Sequence, residues 1–399
     1  MSDTPNPSLP GARLDGVVKM IGSEIYRGSS YGENHPLRVP RVSTVIDLSR
    51  VLGWLPPERY LTSPRAKPEA LTIWHSAEYA RALYQAEQDQ AVTDAVRDRH
   101  GLGTFSNPIF PEMYRRPATA AGASLISGDL LAKGGVLYHP GGGTHHGMPD
   151  YAAGFCYLND PVLAMLSLRR AGVRRLAYLD IDAHHMDGVQ HGFAGDPDAL
   201  LISVHEDKRW PFTGLLEDDG GGNCLNLPVP RGFNDSEMEA IRDHLILPAI
   251  EAFEPDAIVL QCGADAVEED PLSRLSLSNN AHWEMLAGLR RLGAARLLVL
   301  GGGGYNPWSV GRLWTGIWGQ LAGEEIPHRL PAEAEAVLRA LHWTARAGRN
   351  PPEAWFTTLR DLPRPGPVRP EISTGIEELR RRPAARGHIP IKKVRIDGG

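Results

Sequence analysis

The feature that most constrains the fold is a set of short, continuous apolar runs, at 135–138, 176–181, 200–205, 257–262 and 297–300. Runs of this kind are typical of strands that are covered on both faces of a parallel sheet. Stretches with helical periodicity precede and separate them, at 43–52, 76–87, 118–133, 160–171, 236–253 and 280–292. The alternation predicts an α/β fold with a central, mostly parallel sheet flanked by helices.

The size and composition of the chain favour one large domain. It has 399 residues, of which 42% are hydrophobic and 23% charged, as in ordinary globular proteins. We expect the domain to span 15–362. It should carry long active-site loops, because glycine and proline cluster where the apolar runs end. For 363–399 we predict a solvated tail or a strap across the surface, rich in proline and basic residues: Arg380, Arg381, Arg382, Arg386, Lys392, Lys393 and Arg395.

Charge and cysteine content exclude several classes of protein. The net charge is −6, so we do not expect nucleic acid as a direct partner. Cys156, Cys224 and Cys262 lie far apart, which favours neither a disulfide framework nor a cysteine-rich zinc site. The chain has no run of about 18 apolar residues and no signal-peptide pattern, so we expect a cytoplasmic protein without membrane contact. The oligomeric state is not indicated.

Four of the apolar runs end in polar clusters. The clusters are HPGGGTHHG (139–147), DIDAHHMDG (180–188), GADAVEEDP (263–271) and GGGGYNPW (301–308). In open α/β sheets, ligands bind at the carboxyl ends of the strands. We therefore expect the four clusters to contribute to one site.

The second cluster has the composition of a metal site. Because side chains alternate along a strand, Asp180, Asp182 and His184 point the same way where the strand ends. With Asp265 as a third ligand beside Asp182 and His184, this set suits zinc, or alternatively Fe²⁺ or Co²⁺, with a position left for water. Asp180 would then orient a histidine or hold a second cation. Capping of the next helix would explain a single aspartate but not the whole set.

Two histidines and a tyrosine are candidates for catalysis. His145 and His146 are adjacent, and an imidazole can take up a proton near neutral pH. Asp180 and Asp187 could fix the tautomers of the two rings. Tyr305 follows four glycines, and its hydroxyl could donate a hydrogen bond to an oxyanion. Loop packing would account for each residue separately, so the interpretation depends on the set as a whole.

The same residues carry a resemblance to a known family. Six motifs occur in order between Tyr26 and Ala322: YGENHP (31–36), GLG with NPIF (101–110), GGTHHGMPDYAAGFCYLND (142–160), LDIDAHHMDGV (179–189), QCGAD (261–265) and GGGGY (301–305). In these motifs the chain resembles the zinc-dependent histone deacetylase superfamily, in particular its bacterial acetoin-utilization-protein branch. The resemblance implies a single arginase-like domain that hydrolyses Nε-acetyl-lysine, in a protein, peptide or small molecule, by zinc-activated water.

The resemblance also implies roles for individual residues around the zinc ligands proposed above. His146 matches the general base and acid, with Asp187 behind it. His145 matches its partner histidine, with Asp180 behind it. Tyr305 matches the tyrosine that polarises the scissile carbonyl.

Further residues match the family's substrate and ion sites. Gly154, Phe155 and Trp210 match the acyl-lysine tunnel, Leu272 stands at a rim position, and Arg41 matches an arginine beside the product channel. A structural potassium ion is implied near Asp180, Asp182, His184 and Ser203.

The chain departs from the family pattern at two places. After GLG, the family usually has an acidic rim residue that grips a peptide backbone, whereas this chain has Thr104, Phe105 and Ser106. We therefore do not expect strong gripping of a peptide substrate. Trp210 stands where phenylalanine is common, so the tunnel could be narrower or shifted.

Two alternative functions stay open at this point. An acetylpolyamine amidohydrolase would share the chemistry but needs a carboxylate at the mouth of the site to attract an ammonium group. The apolar Leu272 argues against it, and the nearby Glu268 and Glu269 argue for it. The other alternative is a catalytically silent, metal-containing binding or regulatory protein, which would be favoured if a ligand, His146 or Tyr305 were replaced, and none is.

Overall fold

The computed structural model describes residues 18–345 and 348–389. The strands are β1 (Val18–Gly22), β2 (Tyr60–Thr62), β3 (Gly135–His139), β4 (Leu176–Asp180), β5 (Ala199–Glu206), β6 (Cys224–Val229), β7 (Ala257–Gln261) and β8 (Arg296–Leu300). They form one sheet in the order β2-β1-β3-β8-β7-β4-β5-β6, and every neighbouring pair is parallel.

Helices lie between the strands along the chain and continue after the last strand. They are α1 (Ile25–Gly28), α2 (Val42–Val51), α3 (Pro68–Leu71), α4 (Ala77–Asp89), α5 (Asp94–His100), α6 (Arg115–Leu130), α7 (Asp160–Arg170), α8 (Asp187–Phe193), α9 (Asp235–Ile241), α10 (Leu247–Phe253), α11 (Asn279–Arg291), α12 (Pro307–Ala322), α13 (Ala332–Arg339), α14 (Ala354–Thr357) and α15 (Pro370–Arg381). Among the described residues, no helix is long and apolar enough to cross a membrane.

The five predicted strands all form, as β3, β4, β5, β7 and β8. Together with the helices they confirm the predicted α/β fold, and the sheet is parallel throughout rather than mostly so. The sequence analysis missed β1, β2 and β6. Two of these are the edge strands of the sheet, and β1 lies beside the edge with its first residues partly exposed. Strands in such positions need no continuous apolar run, and β6 also contains Pro228, which edge strands tolerate.

Alternate residues of the strands enter two different apolar layers. In β3, Val136 and Tyr138 pack in the layer that holds the tryptophans of α11 and α12. Leu137, which points to the other face, packs with residues of α6, α7 and α8. The sheet is therefore buried on both faces, which explains why its central strands are continuously apolar.

The predicted helix over 236–253 is interrupted. It forms as α9 and α10, joined by a π-helical turn at Arg242–Ile246. Pro248 lies in the first turn of α10 and has no N–H for the carbonyl four residues earlier. We attribute the wider π-helical spacing to this missing donor.

The segment that follows residue 362 packs on the body of the protein as far as it is described. Arg369 pairs with the buried Glu237 at 2.6 Å, just before α15 begins. Arg364 pairs with Glu268 at 2.8 Å and also with Glu269. The predicted boundary at 362 stays a prediction. Residues 15–17 of the predicted domain, and the basic residues Lys392, Lys393 and Arg395, lie outside the described residues.

Candidate active site

The sheet brings the four polar clusters to one place. The strands that precede them, β3, β8, β7 and β4, are consecutive neighbours in the sheet. Because all four run parallel, their carboxyl ends lie at the same edge. One cavity at this edge is lined by His145 and His146 from the first cluster, Asp182 and His184 from the second and Tyr305 from the fourth.

The three proposed metal ligands converge. Single ligand atoms of Asp182, His184 and Asp265 lie within 4.8 Å of one another. His184 Nδ1 is 3.1 Å from Asp182 Oδ1 and 3.0 Å from Asp265 Oδ2. Backbone N–H groups hold the other carboxylate oxygens: Gly303 donates to Asp182 Oδ2 at 2.6 Å, and Ala183 donates to Asp265 Oδ1 at 3.0 Å. A Cβ at Gly303 would lie 2.1 Å from Asp265 Oδ2, so this close backbone approach requires glycine.

The chemistry of this set fits a divalent cation. Burial lowers the pKa of the His184 imidazole, but its hydrogen bonds with Asp182 and Asp265 outweigh burial and raise the pKa to about 10. The ring therefore holds a proton between two buried carboxylates. A metal ion at the same place would displace that proton and compensate the buried negative charge. Two oxygens and one imidazole nitrogen are a suitable donor set for zinc or a similar ion.

Each histidine of the pair is backed by the predicted carboxylate. His145 Nδ1 lies 2.7 Å from Asp180 Oδ2, and His146 Nδ1 lies 2.6 Å from Asp187 Oδ1. The two ring centroids are 4.0 Å apart. Since the Nδ1 atoms are engaged, each ring keeps its Nε2 for other contacts.

The two histidines differ in their affinity for protons. Burial lowers the pKa of His145, but the charges of Asp180 and Asp182 outweigh it and raise the pKa to about 9. Burial, followed by the charge of His145, lowers the pKa of His146 to about 4. His146 is therefore the neutral member of the pair at pH 7, with an Nε2 that can accept a proton.

Tyr305 is placed by a residue that the sequence analysis missed. Asp270 Oδ2 accepts a hydrogen bond from the Tyr305 backbone N–H at 2.6 Å, and its Oδ1 accepts one from the backbone N–H of Leu272 at 2.9 Å. Burial, together with the charge of Asp265, raises the pKa of Asp270 to about 8. One carboxyl group thus positions both the candidate oxyanion donor and the rim residue. Its only signal in the sequence was a fourth acidic residue in GADAVEEDP.

The predicted tunnel residues lie around the entrance of the cavity. The Trp210 ring is 4.6 Å from the His146 ring, and Phe155 packs edge-on to Tyr305 at 5.8 Å. Gly154 has φ +53°, and a Cβ there would lie 2.3 Å from the Trp210 ring. Trp210 is 40% exposed, so it forms the outer side of the entrance. Leu272 lines an adjacent groove with Tyr305.

The other predicted positions are also near the site. Ser203 lies directly opposite Asp180 in the paired strands β4 and β5, and its hydroxyl is 2.8 Å from His205 Nδ1. The potassium site stays a prediction. Arg41 lines the cavity and donates a hydrogen bond from Nη1 to the Gly302 carbonyl at 2.7 Å. Beside it lie Tyr26, Tyr31 and Arg116, to which the sequence analysis gave no role at the site, although Tyr31 begins the YGENHP motif.

The rim loop carries no carboxylate between residues 101 and 107. The Thr104 hydroxyl donates to the Gly101 carbonyl and accepts from the Asn107 N–H, both at 3.1 Å, so it closes the loop on itself. Phe105 is 75% exposed. The loop therefore offers a peptide substrate an aromatic ring instead of a charged acceptor.

Comparisons with known proteins agree with this geometry. The histone deacetylase domain family matches residues 35–321. The acetoin utilization protein AcuC of Bacillus subtilis is 32% identical, over 88% of this chain and 93% of that protein. Human histone deacetylase 1 is 31% identical over 75% of this chain and 64% of its own length. The chain thus spans less than two thirds of this eukaryotic relative.

Solved structures show the same similarity. The crystal structure of an HDAC homologue from Aquifex aeolicus superposes with a TM-score of 0.85 at 34% identity, covering 91% of this chain and 99% of that one. An HDAC homologue complexed with SAHA gives a TM-score of 0.83 at 34% identity, with the same coverage.

The fold and the site define a hydrolase of the deacetylase class. The chain belongs to the histone deacetylase family. Membership confirms the resemblance and the single arginase-like domain, and it implies a divalent metal ion and acetylated substrates. It also argues against the alternative of a catalytically silent protein.

Proposed function

We propose that the protein hydrolyses Nε-acetyl-lysine to lysine and acetate, with zinc held by Asp182, His184 and Asp265. The observation that carries this proposal is that His146, Tyr305 and two of the ligand residues line one cavity, with the third ligand residue, Asp265, beside those two. When bound, the metal ion would polarise the amide carbonyl and lower the pKa of water.

The residues of the chain supply proton transfer and charge stabilisation. His146 takes a proton from the attacking water at Nε2, because Asp187 engages Nδ1. The same nitrogen then returns a proton to the leaving lysine amine. The Tyr305 hydroxyl donates a hydrogen bond to the carbonyl oxygen as negative charge develops there. These reaction steps need no covalent intermediate between the substrate and the protein.

Substrate positioning follows from the tunnel. The aliphatic stem of acetyl-lysine lies between the faces of Phe155 and Trp210 and buries apolar area there. Buried Cys156 is not required. Burial raises the pKa of its thiol far above neutral pH, so it is not a nucleophile.

Acetyl-lysine fits the entrance of the cavity better than a cationic polyamine does. Leu272 is apolar, so it offers no charge to a second ammonium group. Glu268 and Glu269, which kept the polyamine alternative open, both pair with Arg364 of the C-terminal segment. The single positive charge of Arg364 therefore compensates part of their negative charge.

One observation favours the second candidate, an acetylpolyamine amidohydrolase. Glu33 lines the groove that also contains Leu272 and Tyr305, and it is exposed. Its carboxylate could attract an ammonium group that extends from the cavity. A test must therefore compare both substrate classes.

We expect a preference for acetyl-lysine over acetylspermidine of about tenfold or more in kcat/KM, because an ammonium group against Leu272 would lose hydration without gaining a partner. The metal-loaded protein is assayed with free acetyl-lysine, an acetyl-lysine peptide and acetylspermidine. SAHA should block turnover if the hydrolysis occurs in this cavity. A preference for acetylspermidine that Glu33→Gln abolishes would establish the second candidate instead.

We also expect a long acetylated peptide to gain little over a capped single acetyl-lysine. The rim offers no carboxylate, and a hydrogen bond to a charged acceptor contributes about 1.5 to 3 kcal/mol. Phe105→Asp should restore part of a long-peptide preference in kcat/KM, whereas the uncharged control Phe105→Asn should not. A wild-type preference of about a hundredfold for the long peptide would mean that another rim group grips the backbone.

A further inference from the structure

The inner part of the cavity contains a buried guanidinium without an acidic partner. Arg116 is 7% exposed, and its Nη1 donates to the Ser29 carbonyl at 2.8 Å. Its guanidinium lies over the rings of Tyr26 and Tyr31, at 5.1 and 5.4 Å from their centroids. Among the described residues, it forms no ion pair with a carboxylate. It also stands in the first turn of α6, where the helix dipole disfavours a cation.

A second guanidinium lines the same part of the cavity. Arg41 donates to the Gly302 carbonyl and lies over the Trp314 ring at 5.3 Å, again without an ion pair to a described carboxylate. Burial, followed by the charge of Arg116, lowers the pKa of Arg41. Two cations in one buried space destabilise each other unless an anion joins them.

Neighbouring polar groups in this space are also without partners. The Tyr26 hydroxyl and Arg41 Nε are buried and have no hydrogen-bond partner in the part of the chain that the structure describes. Asp160 acts electrostatically on Tyr26, but its carboxylate is occupied by Ser124, Gly143 and Thr144. The protein therefore provides donors for an anion without providing the anion.

A hydrogen-bonded peptide unit links one of the two guanidiniums to the proposed metal site. Gly302 and Gly303 share one peptide unit, whose carbonyl accepts from Arg41 and whose N–H donates to Asp182 Oδ2. Arg41 is thus one peptide unit away from a proposed metal ligand. Arg41 and Arg116 line the same cavity as His146 and Tyr305, so both guanidiniums border the space in which the acyl group would lie.

We propose that Arg116 and Arg41 bind a carboxylate at the far end of the substrate's acyl group. The inference rests on the proposed function, because the acyl carbonyl must be held at Tyr305 and His146. The substrates would be lysines acylated by a short dicarboxylic acid, such as malonyl-lysine or succinyl-lysine. In malonyl-lysine and succinyl-lysine, one or two methylene groups place the second carboxylate about 2.5 to 4 Å from the acyl carbonyl carbon, within the cavity that the guanidiniums line.

The reaction is the same hydrolysis with a different acyl group. The oxygen of one water bonds to the acyl carbon, the C–N bond breaks, and His146 delivers a proton to the leaving nitrogen. The products are lysine and a dicarboxylate. This product carries two negative charges, which match the two guanidiniums.

The test compares one short peptide carrying acetyl-, butyryl-, malonyl- or succinyl-lysine. Butyryl is the uncharged match for succinyl, since both have four carbons. We expect wild-type kcat/KM for succinyl-lysine to exceed that for butyryl-lysine by about tenfold to a hundredfold, the range for a hydrogen bond to a charged group. Arg116→Met should remove this preference, and Arg116→Lys, which keeps the charge, should retain part of it.

A binding measurement without turnover supports the kinetics. Succinate should raise the Tm of the wild-type protein more than chloride does at equal ionic strength, and Arg116→Met should lose the difference. If Arg116→Met does not fold, the wild-type substrate ratio and Arg116→Lys decide.

The outcomes separate this inference from the proposed function. Hydrolysis of acetyl-lysine with no preference for succinyl over butyryl would overturn the inference and leave the proposed function intact, with the arginines serving only the departing acetate. Failure to hydrolyse any acyl-lysine would overturn the proposed function. A loss in Arg116→Met that is equal for succinyl- and butyryl-lysine would show a purely structural role for Arg116.

Discussion

Asp182→Asn is expected to release the metal ion and to lower kcat/KM by about a thousandfold or more. The substitution keeps the size of the side chain and one oxygen for the Gly303 N–H, but it removes the charge that a divalent cation needs. Loss of the ion removes several kcal/mol of transition-state stabilisation. Elemental analysis of the purified variant, together with its activity at saturating added zinc, measures both effects.

Asp187→Asn is the matched control for this experiment. Asp187 backs His146 and is not among the three ligand residues. The control should therefore keep stoichiometric metal while it loses activity. If wild type itself holds no stoichiometric zinc, iron or cobalt, or if Asp182→Asn keeps its metal, the ligand assignment is wrong.

His146→Gln is expected to lower kcat by about a hundredfold to ten-thousandfold and to leave the metal content unchanged. Glutamine cannot take up the proton that Nε2 of the neutral imidazole accepts. KM should change little, because the tunnel walls bind the lysine stem. His145→Gln should cost less, since His145 contributes chiefly through its charge beside His146.

Tyr305→Phe belongs to the same prediction. Loss of its hydroxyl should lower kcat about a hundredfold to a thousandfold, as for other oxyanion donors. Tyr84→Phe, at an exposed position on α4, is the control for the same chemical change. If Tyr305→Phe were as active as wild type, the tyrosine would only pack at the rim. The metal content of each variant, measured beside kcat, separates loss of chemistry from loss of the ion.

The central part of the fold could be predicted from the sequence. A strand that is buried on both faces must be apolar at nearly every position, so β3, β4, β5, β7 and β8 appear as continuous runs. Strand β2 has only three residues and is partly exposed, so it leaves no such pattern. The π-helical turn between α9 and α10 was missed because helical periodicity continues across it.

Much of the candidate site was also visible in the sequence. Metal ligands and proton-transfer groups require particular residue types, and these types follow the apolar runs at short spacing. The structure brings every predicted ligand and catalytic residue to one edge of the sheet. Their individual roles stay predictions until the variants are measured.

The sequence by itself determined the five continuously apolar strands β3, β4, β5, β7 and β8, and which residue types stand at their ends. Only the tertiary structure decided that β3, β8, β7 and β4 are neighbours, that Arg364 pairs with Glu268 and Glu269, and that Arg116 reaches the cavity. The physical reason is that local patterns record how buried a residue is, whereas partners more than eighty residues away are chosen by packing of the whole chain.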